Sequence, residues 1–152
     1  MITPDFKKNI VKACKAVLDS KIKFLSDALQ EATVAGNNET KSTAGDKHET
    51  ARAMMQLEQE KIGNQLTDLE TQINAFDKIN FSVAHNIVSN GSLIEANHGF
   101  FLIGSAIGKL EVDSKIIFII SNKSPLALNL LGLKPNDKTI FNGVNYEIKA
   151  IY

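Results

Sequence analysis

Two carboxylates, Asp46 and Glu49, stand three residues apart in the segment Gly45-Asp46-Lys47-His48-Glu49. Residues at this spacing lie on one face of a helix, so both side chains would project from neighbouring positions. Mg²⁺ accepts one or two carboxylates while it keeps several water molecules. The pair could therefore share one hard cation, but two carboxylates are too few for a tight site of their own.

The same spacing also has a structural interpretation. An acidic residue followed three residues later by Glu, just ahead of a helix, is the pattern of a capping box, with Asp46 as the N-cap and Glu49 reaching back. Such a cap stabilises a helix by ~1 kcal/mol and requires no partner. The two interpretations are compatible, because a cap also holds both carboxylates in place.

Long heptad patterns flank this segment. In the first arm the apolar stripe, interrupted by Lys15, is Val11, Leu18, Ile22, Leu25, Leu29 and Ala32. In the second arm, where Gln59 breaks the stripe, it is Met55, Ile62, Leu66, Leu69, Ile73 and Phe76. Alternating steps of three and four predict coiled-coil helices. We expect helix one to begin at Thr3-Pro4-Asp5 and to end near Ala35, and the second arm to end near Asp77.

The loop between the arms is polar, with Gly36-Asn37-Asn38 and Ser42-Thr43-Ala44-Gly45. Residues 1–77 are therefore predicted to form an antiparallel coiled-coil hairpin with the two acids at its tip. Each arm of about 30 residues, at ~1.5 Å per residue, would be roughly 45 Å long.

Beyond residue 80 the pattern changes to short β-rich runs separated by Gly and Asn turns. The predicted strands are Phe81 to Val88, Leu93 to Ala96, Phe100 to Ile103, Lys115 to Ile120, Thr139 to Phe141 and Val144 to Ile151. A short helix is predicted from Pro125 to Leu131, since proline favours its start and Gly132 its end. The fold class is thus α+β, with a small antiparallel β-rich domain at 81–152.

Composition excludes several functions. Seventeen basic residues balance seventeen acidic ones, so bulk charge does not indicate independent binding to nucleic acid or membrane. No apolar run is long enough to span a bilayer, and the N-terminus lacks the pattern of a secretory signal. One cysteine leaves no internal disulfide. These features predict a cytoplasmic protein, and no Gly-rich phosphate loop, catalytic triad or zinc pattern indicates a self-sufficient enzyme.

A few polar residues outside the tip need an interpretation. Lys8, Lys12 and Lys15 share one helical face, which could attract RNA or another anion or simply be a solvated face. Cys14 is expected to be a buried thiol rather than a nucleophile. His85 and His98 have no ligand cluster beside them and are assigned to no metal.

Two stretches resemble the Gre transcript-cleavage factors of bacterial RNA polymerase. Gly45-Asp46-Lys47-His48-Glu49-Thr50-Ala51 is similar to the family's Gly-Asp-x-x-Glu-Asn-Ala. Ser124-Pro125-Leu126-Ala127-Leu128-Asn129-Leu130-Leu131-Gly132-Leu133-Lys134-Pro135-Asn136-Asp137 resembles its Ser-Pro-Leu-Gly-x-Ala-Leu-Leu-Gly-x-Lys-x-Gly-Asp, and Tyr146-Glu147-Ile148 its closing strand.

The resemblance implies a monomer whose coiled coil enters the secondary channel of the polymerase and whose C-terminal domain has an FKBP-like fold. Asp46 and Glu49 would be the catalytic residues, and would help hold a Mg²⁺ ion shared with the polymerase that activates water for attack on the nascent RNA 3′ end. The partner contacts implied are Lys47, His48, Ser124, Pro125 and Leu126. Mg²⁺ is the one cofactor implied, and the chain would not bind it alone.

The tip departs from the family pattern. Lys47-His48 replaces the usual Leu-Ser, Thr50 replaces Asn, and Arg52-Ala53 replaces an acidic-aromatic pair, so the tip is less negative. His48 could carry a proton near neutral pH, but its place on the heptad register above Ala51 favours simple packing at the hairpin end. Two alternatives follow. One is a regulator that enters the same channel without stimulating cleavage, and the other is a coiled-coil interaction protein with an FKBP-like peptide-binding module.

Overall fold

A computed structural model of the chain describes residues 2–39 and 45–152, and within the helices the side chains of 38, 39 and 45–48 lie outside the description. The fold is α+β, with two long helices followed by a six-stranded, mostly antiparallel sheet. Helix α1 spans Pro4–Glu39 and helix α2 spans Gly45–Asp77. The strands and the short helix follow in the order β1 Leu93–Ala96, β2 Gly99–Ile103, β3 Gly108–Val112, β4 Lys115–Ile120, α3 Pro125–Leu130, β5 Lys138–Phe141 and β6 Val144–Ile151.

The residue contacts divide the chain into two units. One consists of Met1–Val17 with Ala75–Tyr152, and the other of Leu18–Asn74. Both long helices therefore contribute residues to both units. The boundary predicted between the hairpin at 1–77 and the β-rich domain at 81–152, where the chain would separate into two halves, stays a prediction. The contacts group the first turns of α1 with the sheet.

In the unit Leu18–Asn74 none of the predicted seam positions is exposed. Ile62 and Leu69 are each 6% exposed. The other seam positions of this unit are buried or half-buried, namely Leu18, Ile22, Leu25, Leu29, Ala32, Met55, Gln59, Leu66 and Ile73. The predicted burial of these positions is thus confirmed in this unit. The finer assignment to a coiled-coil hairpin is taken up under the proposed function.

The sheet has the order β3-β4-β2-β1-β6-β5. Neighbouring strands are antiparallel except for β2 and β4, which are parallel because β3 folds back as a hairpin on the outer side of β4. The Asn142-Gly143 turn between β5 and β6 has positive φ at both residues, as the sequence predicts for a two-residue hairpin.

The two faces of the sheet pack against different helices. On one face Ile94, Phe101, Ile103 and Ile148 form a core with α3. On the other face the ring of Phe100 makes an edge contact with Phe6 of α1, with the ring centroids 5.6 Å apart. The first turns of α1 accordingly bury a stripe that is Phe6, Ile10 and Cys14. The sequence analysis predicted burial only for Cys14 of this stripe. It had placed the buried positions of this part of α1 at Val11 and Lys15, in line with the seam of the long arm.

The predicted strand at Phe81 to Val88 is wrong. Both sides of β1, the next strand along the chain, are taken by β2 and β6, and residues 81–88 pair with no strand of the sheet. Val83 and Ile87 are instead 45% and 42% exposed, while the Val88 amide donates to the carbonyl of Leu133 over 2.9 Å. The structure also contains β3, which the sequence analysis missed because its hairpin turn is Asp113-Ser114 rather than a Gly turn. Both residues there have positive φ.

Candidate functional site

The tip segment is the first candidate site. Helix α2 begins at Gly45, so the backbones of Asp46 and Glu49 lie in its first two turns, where the helix dipole favours negative charge. The Glu49 side chain is exposed. The side chains of Asp46, Lys47 and His48 lie outside the described residues, so their predicted roles stay predictions.

The start of α2 bears on the capping interpretation. A capping residue has non-helical backbone, whereas Asp46 lies one residue inside the helix that begins at Gly45. The backbone therefore gives Asp46 a place in the first turn rather than the predicted N-cap position. The spacing of the two acids is unaffected, and Asp46 and Glu49 remain one helical turn apart along α2.

Helices α1 and α2 approach each other closely at Gln59 and Gly36. The Gln59 amide Nε2 on α2 donates to the carbonyl oxygen of Ala32 on α1 over 3.3 Å. A Cβ placed on Gly36 would lie 3.1 Å from the same Nε2 atom and 3.7 Å from Cβ of Met55. Gln59, which interrupts the apolar stripe of α2, thus forms a hydrogen bond to α1. The bond lies close to Gly36, where the absence of a side chain leaves room between the two helices.

Ser124, Pro125 and Leu126, the predicted partner contacts of the second half, form the start of α3. The Ser124 hydroxyl accepts a hydrogen bond from the Ala127 amide over 3.2 Å and donates to the carbonyl of Ser121 over 2.8 Å. Pro125 occupies the first turn, and Leu126 packs against the core of the sheet. These contacts give the three residues a structural role in capping α3, and their predicted partner contacts stay a prediction.

The two histidine side chains in the described residues have hydrogen-bond partners, and the cysteine is buried. His85 Nδ1 lies 3.1 Å from Oγ of buried Ser92, and His98 Nε2 lies 3.0 Å from the carbonyl oxygen of Asn145. Cys14 is fully buried, so the predicted burial of its thiol is confirmed, and burial raises the pKa of the thiol to about 12. Across residues 2–39 and 45–152, with the side chains at 38, 39 and 45–48 left aside, no three His, Cys, Asp or Glu side chains are grouped to hold a metal.

A second candidate site lies in the unit that contains the sheet. A cavity of about 800 Å³, here called the N-terminal groove, is lined by the first turns of α1, by residues 81–84 and by the end of β6. Lys8, Lys12 and Lys15, whose shared helical face the sequence analysis noted, all line it and are exposed. The sequence signalled the lysines by their spacing but gave no sign of the cavity, because its walls come from three distant segments.

Lys7 is the residue of this groove that the sequence analysis missed. Its side chain is only 8% exposed, and its ammonium Nζ donates to the carbonyl oxygens of Val83 over 3.3 Å and Tyr152 over 3.0 Å. Burial lowers the pKa of Lys7 from its ordinary value. Burial also lowers the pKa of His85, and the positive charge of Lys7 lowers it further.

Comparisons with protein-family models, with curated proteins and with solved structures gave no match for this chain. In the described part of the chain, no helix combines the length and apolar content needed to cross a membrane. The resemblance to Gre factors therefore stays a prediction from the residues that carry it.

Proposed function

We propose that the chain is a Gre-like factor of bacterial RNA polymerase that acts as a monomer, inserts a coiled-coil hairpin into the secondary channel and stimulates cleavage of backtracked RNA. One observation carries the proposal. Helix α2 begins at Gly45, which sets Asp46 and Glu49 in the first turns of a 33-residue helix, and Glu49 is exposed. A pair of carboxylates at the end of a long arm can reach a site that a compact domain could not enter.

The arm itself supports this proposal. The part of α1 that belongs to the unit Leu18–Asn74 runs from Leu18 to Glu39. Its 22 residues, at ~1.5 Å per residue, extend roughly 33 Å. The buried seams of both helices and the Gln59 bond to Ala32 are what an antiparallel coiled-coil hairpin requires. A paired arm stays straight, whereas a single exposed helix of this composition would be marginal in water.

The chemistry of the tip residues fits a hard divalent cation. Carboxylate oxygens are ligands that Mg²⁺ prefers, and two from one helix leave most of the coordination sphere to waters and to a partner's acids. When bound, Mg²⁺ would lower the pKa of a coordinated water molecule and would place a positive charge beside the scissile phosphate. Asp46 would hold the ion, and Glu49 would either share it or accept a hydrogen bond from the attacking water.

The unit that consists of Met1–Val17 and Ala75–Tyr152 would have an FKBP-like fold and would anchor the factor at the polymerase. Its sheet carries one short helix, α3, across one face, with Ser124 fixing the start of that helix. The first turns of α1 pack on the other face through Phe6 and Phe100. Chain ends and sheet are thus joined in one unit that can bind as a body.

A specific observation favours the peptide-binding alternative for the same unit. A row of rings crosses the α3 face of the sheet, with Phe101 stacked on Phe118 at 5.6 Å and in edge contact with Tyr146 at 5.9 Å. His98 continues the row at 5.4 Å from Tyr146, and Phe118 is 36% exposed. Phe101 is buried beneath the row, and the exposed ring of Phe118 can receive an apolar side chain of an extended peptide.

The deciding experiment is RNA cleavage in backtracked complexes of purified bacterial RNA polymerase. We expect the wild-type chain to accelerate cleavage, and Asp46→Asn and Glu49→Gln each to abolish the acceleration while they retain polymerase binding. Glu60→Gln, an exposed acid in the middle of the same helix, is the matched control and should behave as wild type. Equal stimulation by wild type and Asp46→Asn would overturn the role of the tip.

The alternatives have their own outcomes in this assay. A wild-type chain that binds polymerase and never stimulates cleavage would be a channel regulator, and reverting Lys47-His48 to Leu-Ser should then restore activity by removing a positive charge next to the cation. A chain that retains no polymerase subunit at low salt would favour the peptide-binding alternative. In that case Phe118→Ala should weaken the binding of the peptide.

A further inference from the structure

The floor of the N-terminal groove is apolar. Val11 of α1, Phe81 and Ile151 are half-buried side chains that line it, and Val83 lines it with 45% of its surface exposed. The cavity volume of about 800 Å³ lies within the range of ~300–1,000 Å³ that small-molecule sites occupy. The groove therefore offers room and apolar surface for a molecule much larger than an ion.

The rim of the groove carries concentrated positive charge. Lys8, Lys12 and Lys15 follow one another at steps of four and three along α1, which places three ammonium groups along roughly 10 Å of one helical face. Among the described residues that line the groove there is no Asp or Glu to balance them. Seventeen basic and seventeen acidic residues balance over the whole chain, so this excess is local. Like charges at this spacing repel, and an anion would relieve the repulsion.

Lys7 adds a directed donor within the groove. An ammonium group has three N–H donors, and two of them are used by the carbonyl oxygens of Val83 and Tyr152. Lys7 also lines the groove, so its ammonium lies within reach of a ligand bound there. A bound anion would also offset the desolvation that lowers the pKa of Lys7.

We propose that the N-terminal groove binds a small anionic amphiphile, that is, a molecule with an apolar aliphatic or aromatic body and one carboxylate, sulfonate or phosphate group. The body lies on Val11, Phe81 and Ile151, and the anionic group is held by the rim lysines. A nucleic-acid strand is a poorer match, because it needs a longer track of cations and stacking platforms than a rim of roughly 10 Å provides. The binding does not depend on the polymerase-directed function of the tip.

The test uses anilinonaphthalene sulfonate as a fluorescent probe of the groove in the full-length chain. The chain contains no Trp, so the probe is read against a low intrinsic background. We expect saturable binding that decanoate and decyl phosphate both displace, since each carries an anion on an apolar body. Decanamide, a neutral analogue of the same length, should displace the probe about tenfold less well.

Two pairs of variants locate the site. Lys12→Glu should weaken probe binding by about tenfold, whereas Lys21→Glu, an exposed lysine on the same helix outside the groove, should change it by less than about twofold. Val83→Asp puts a carboxylate in the groove and should weaken binding similarly. Ile87→Asp is its control, because Ile87 is equally exposed at 42% and does not line the groove.

Folding of each variant is checked by circular dichroism. Lys12 and Val83 are exposed, so substitutions there leave the packing of the core intact. Equal weakening by Lys12→Glu and Lys21→Glu would overturn the proposal, as would equal competition by decanoate and decanamide. Displacement of the probe by a short oligouridine at lower concentration than decanoate would overturn the small-molecule ligand in favour of RNA. Because the readout is binding to the chain alone, these outcomes are independent of any cleavage assay.

Discussion

The side-chain amide of Gln59 on α2 donates to the main-chain oxygen of Ala32 on α1 over 3.3 Å. Ala32 lies inside α1, so its carbonyl oxygen also accepts the regular helical bond, and loss of the Gln59 bond leaves no buried orphan. A polar residue at such a seam position sets the register of two helices at some cost in stability.

We therefore expect Gln59→Leu to raise the free energy of unfolding by about 1 kcal/mol, because a half-buried amide is replaced by an apolar side chain of similar size. Urea unfolding followed by circular dichroism measures the change. A loss of stability of the same size would mean that the bond to Ala32 contributes more than the apolar contact that replaces it.

Substitution of two helical glycines, Gly36 in α1 and Gly63 in α2, tests the same contact between Gln59 and α1. A Cβ at Gly63 meets nothing within 4 Å, whereas a Cβ at Gly36 would lie 3.1 Å from Nε2 of Gln59. Gly63→Ala should therefore gain close to the full helix-propensity difference of ~1 kcal/mol, and Gly36→Ala distinctly less because the amide must move. In a Gln59→Ala background the two substitutions should become equal. Equal gains in the wild-type background would show that the Gln59 amide does not crowd Gly36.

Lys7 and Lys8 are neighbours in sequence with opposite environments. Lys7 is 8% exposed and bonds two carbonyl oxygens, while Lys8 is exposed. We expect Lys7→Ala to lower the free energy of unfolding by about 1–3 kcal/mol, through lost charge-assisted bonds and lost packing of the aliphatic stem. Lys8→Ala should stay within about 0.5 kcal/mol of wild type.

Lys7→Met separates the two contributions of Lys7. It keeps most of the stem and removes a desolvated charge, so it should cost less than Lys7→Ala. Thermal melting of the three variants checks the order. A Lys7→Met variant as unstable as Lys7→Ala would mean that the hydrogen bonds to Val83 and Tyr152, and not the stem, carry the contribution.

His85 should make stability depend on pH. Burial and the charge of Lys7 lower its pKa in the folded protein below the ordinary value of 6.5. Between the folded value and 6.5 the unfolded chain binds more protons, so the free energy of unfolding rises with pH in this window and falls as pH drops below about 6.5. His85→Gln should flatten this part of the profile, and Lys7→Met should reduce its slope.

The measurement is chemical unfolding at a series of pH values, supported by an NMR titration of the His85 ring. Carboxylates titrate at lower pH and affect wild type and His85→Gln alike, so the difference between the two profiles isolates the histidine. A His85 ring that titrates above 6.5 in the folded protein would contradict the prediction.

The packing of α1 on the sheet predicts which part of the chain folds alone. Phe6, Ile10 and Cys14 are buried, and they belong to the unit that contains Ala75–Tyr152. A fragment of residues 81–152 should therefore expose the sheet face that α1 covers and fail to melt cooperatively. A chain in which 18–74 is replaced by a flexible Gly-Ser linker should retain α1's first turns and melt cooperatively.

Calorimetry of the two shortened chains provides the comparison. A cooperative transition for 81–152 close to that of the linker variant would contradict the grouping and would support separable halves at 77–80. Limited proteolysis of the full chain, which should cut within the helical unit before the sheet, gives an independent check.

The sequence by itself determined the features that repeat at short range. The heptad steps through Ile62 and Leu69 predicted which side of α2 is buried, because the side chains of a helix take their positions from local geometry alone. The turn at Asn142-Gly143 and the start of α3 at Pro125 were predictable for the same reason, since few residues adopt these backbone conformations readily.

Only the tertiary structure decided the features that depend on distant neighbours. The run at 81–88 forms no strand, and the amide of Val88 instead bonds to the carbonyl oxygen of Leu133, far along the chain. Asp113-Ser114 turns the chain into β3 with positive φ, although neither residue is glycine. Lys7 is buried because Val83 and Tyr152, 76 and 145 residues away, supply carbonyl oxygens to its ammonium. No local pattern can signal such a contact, since its free energy depends on groups that only folding brings together.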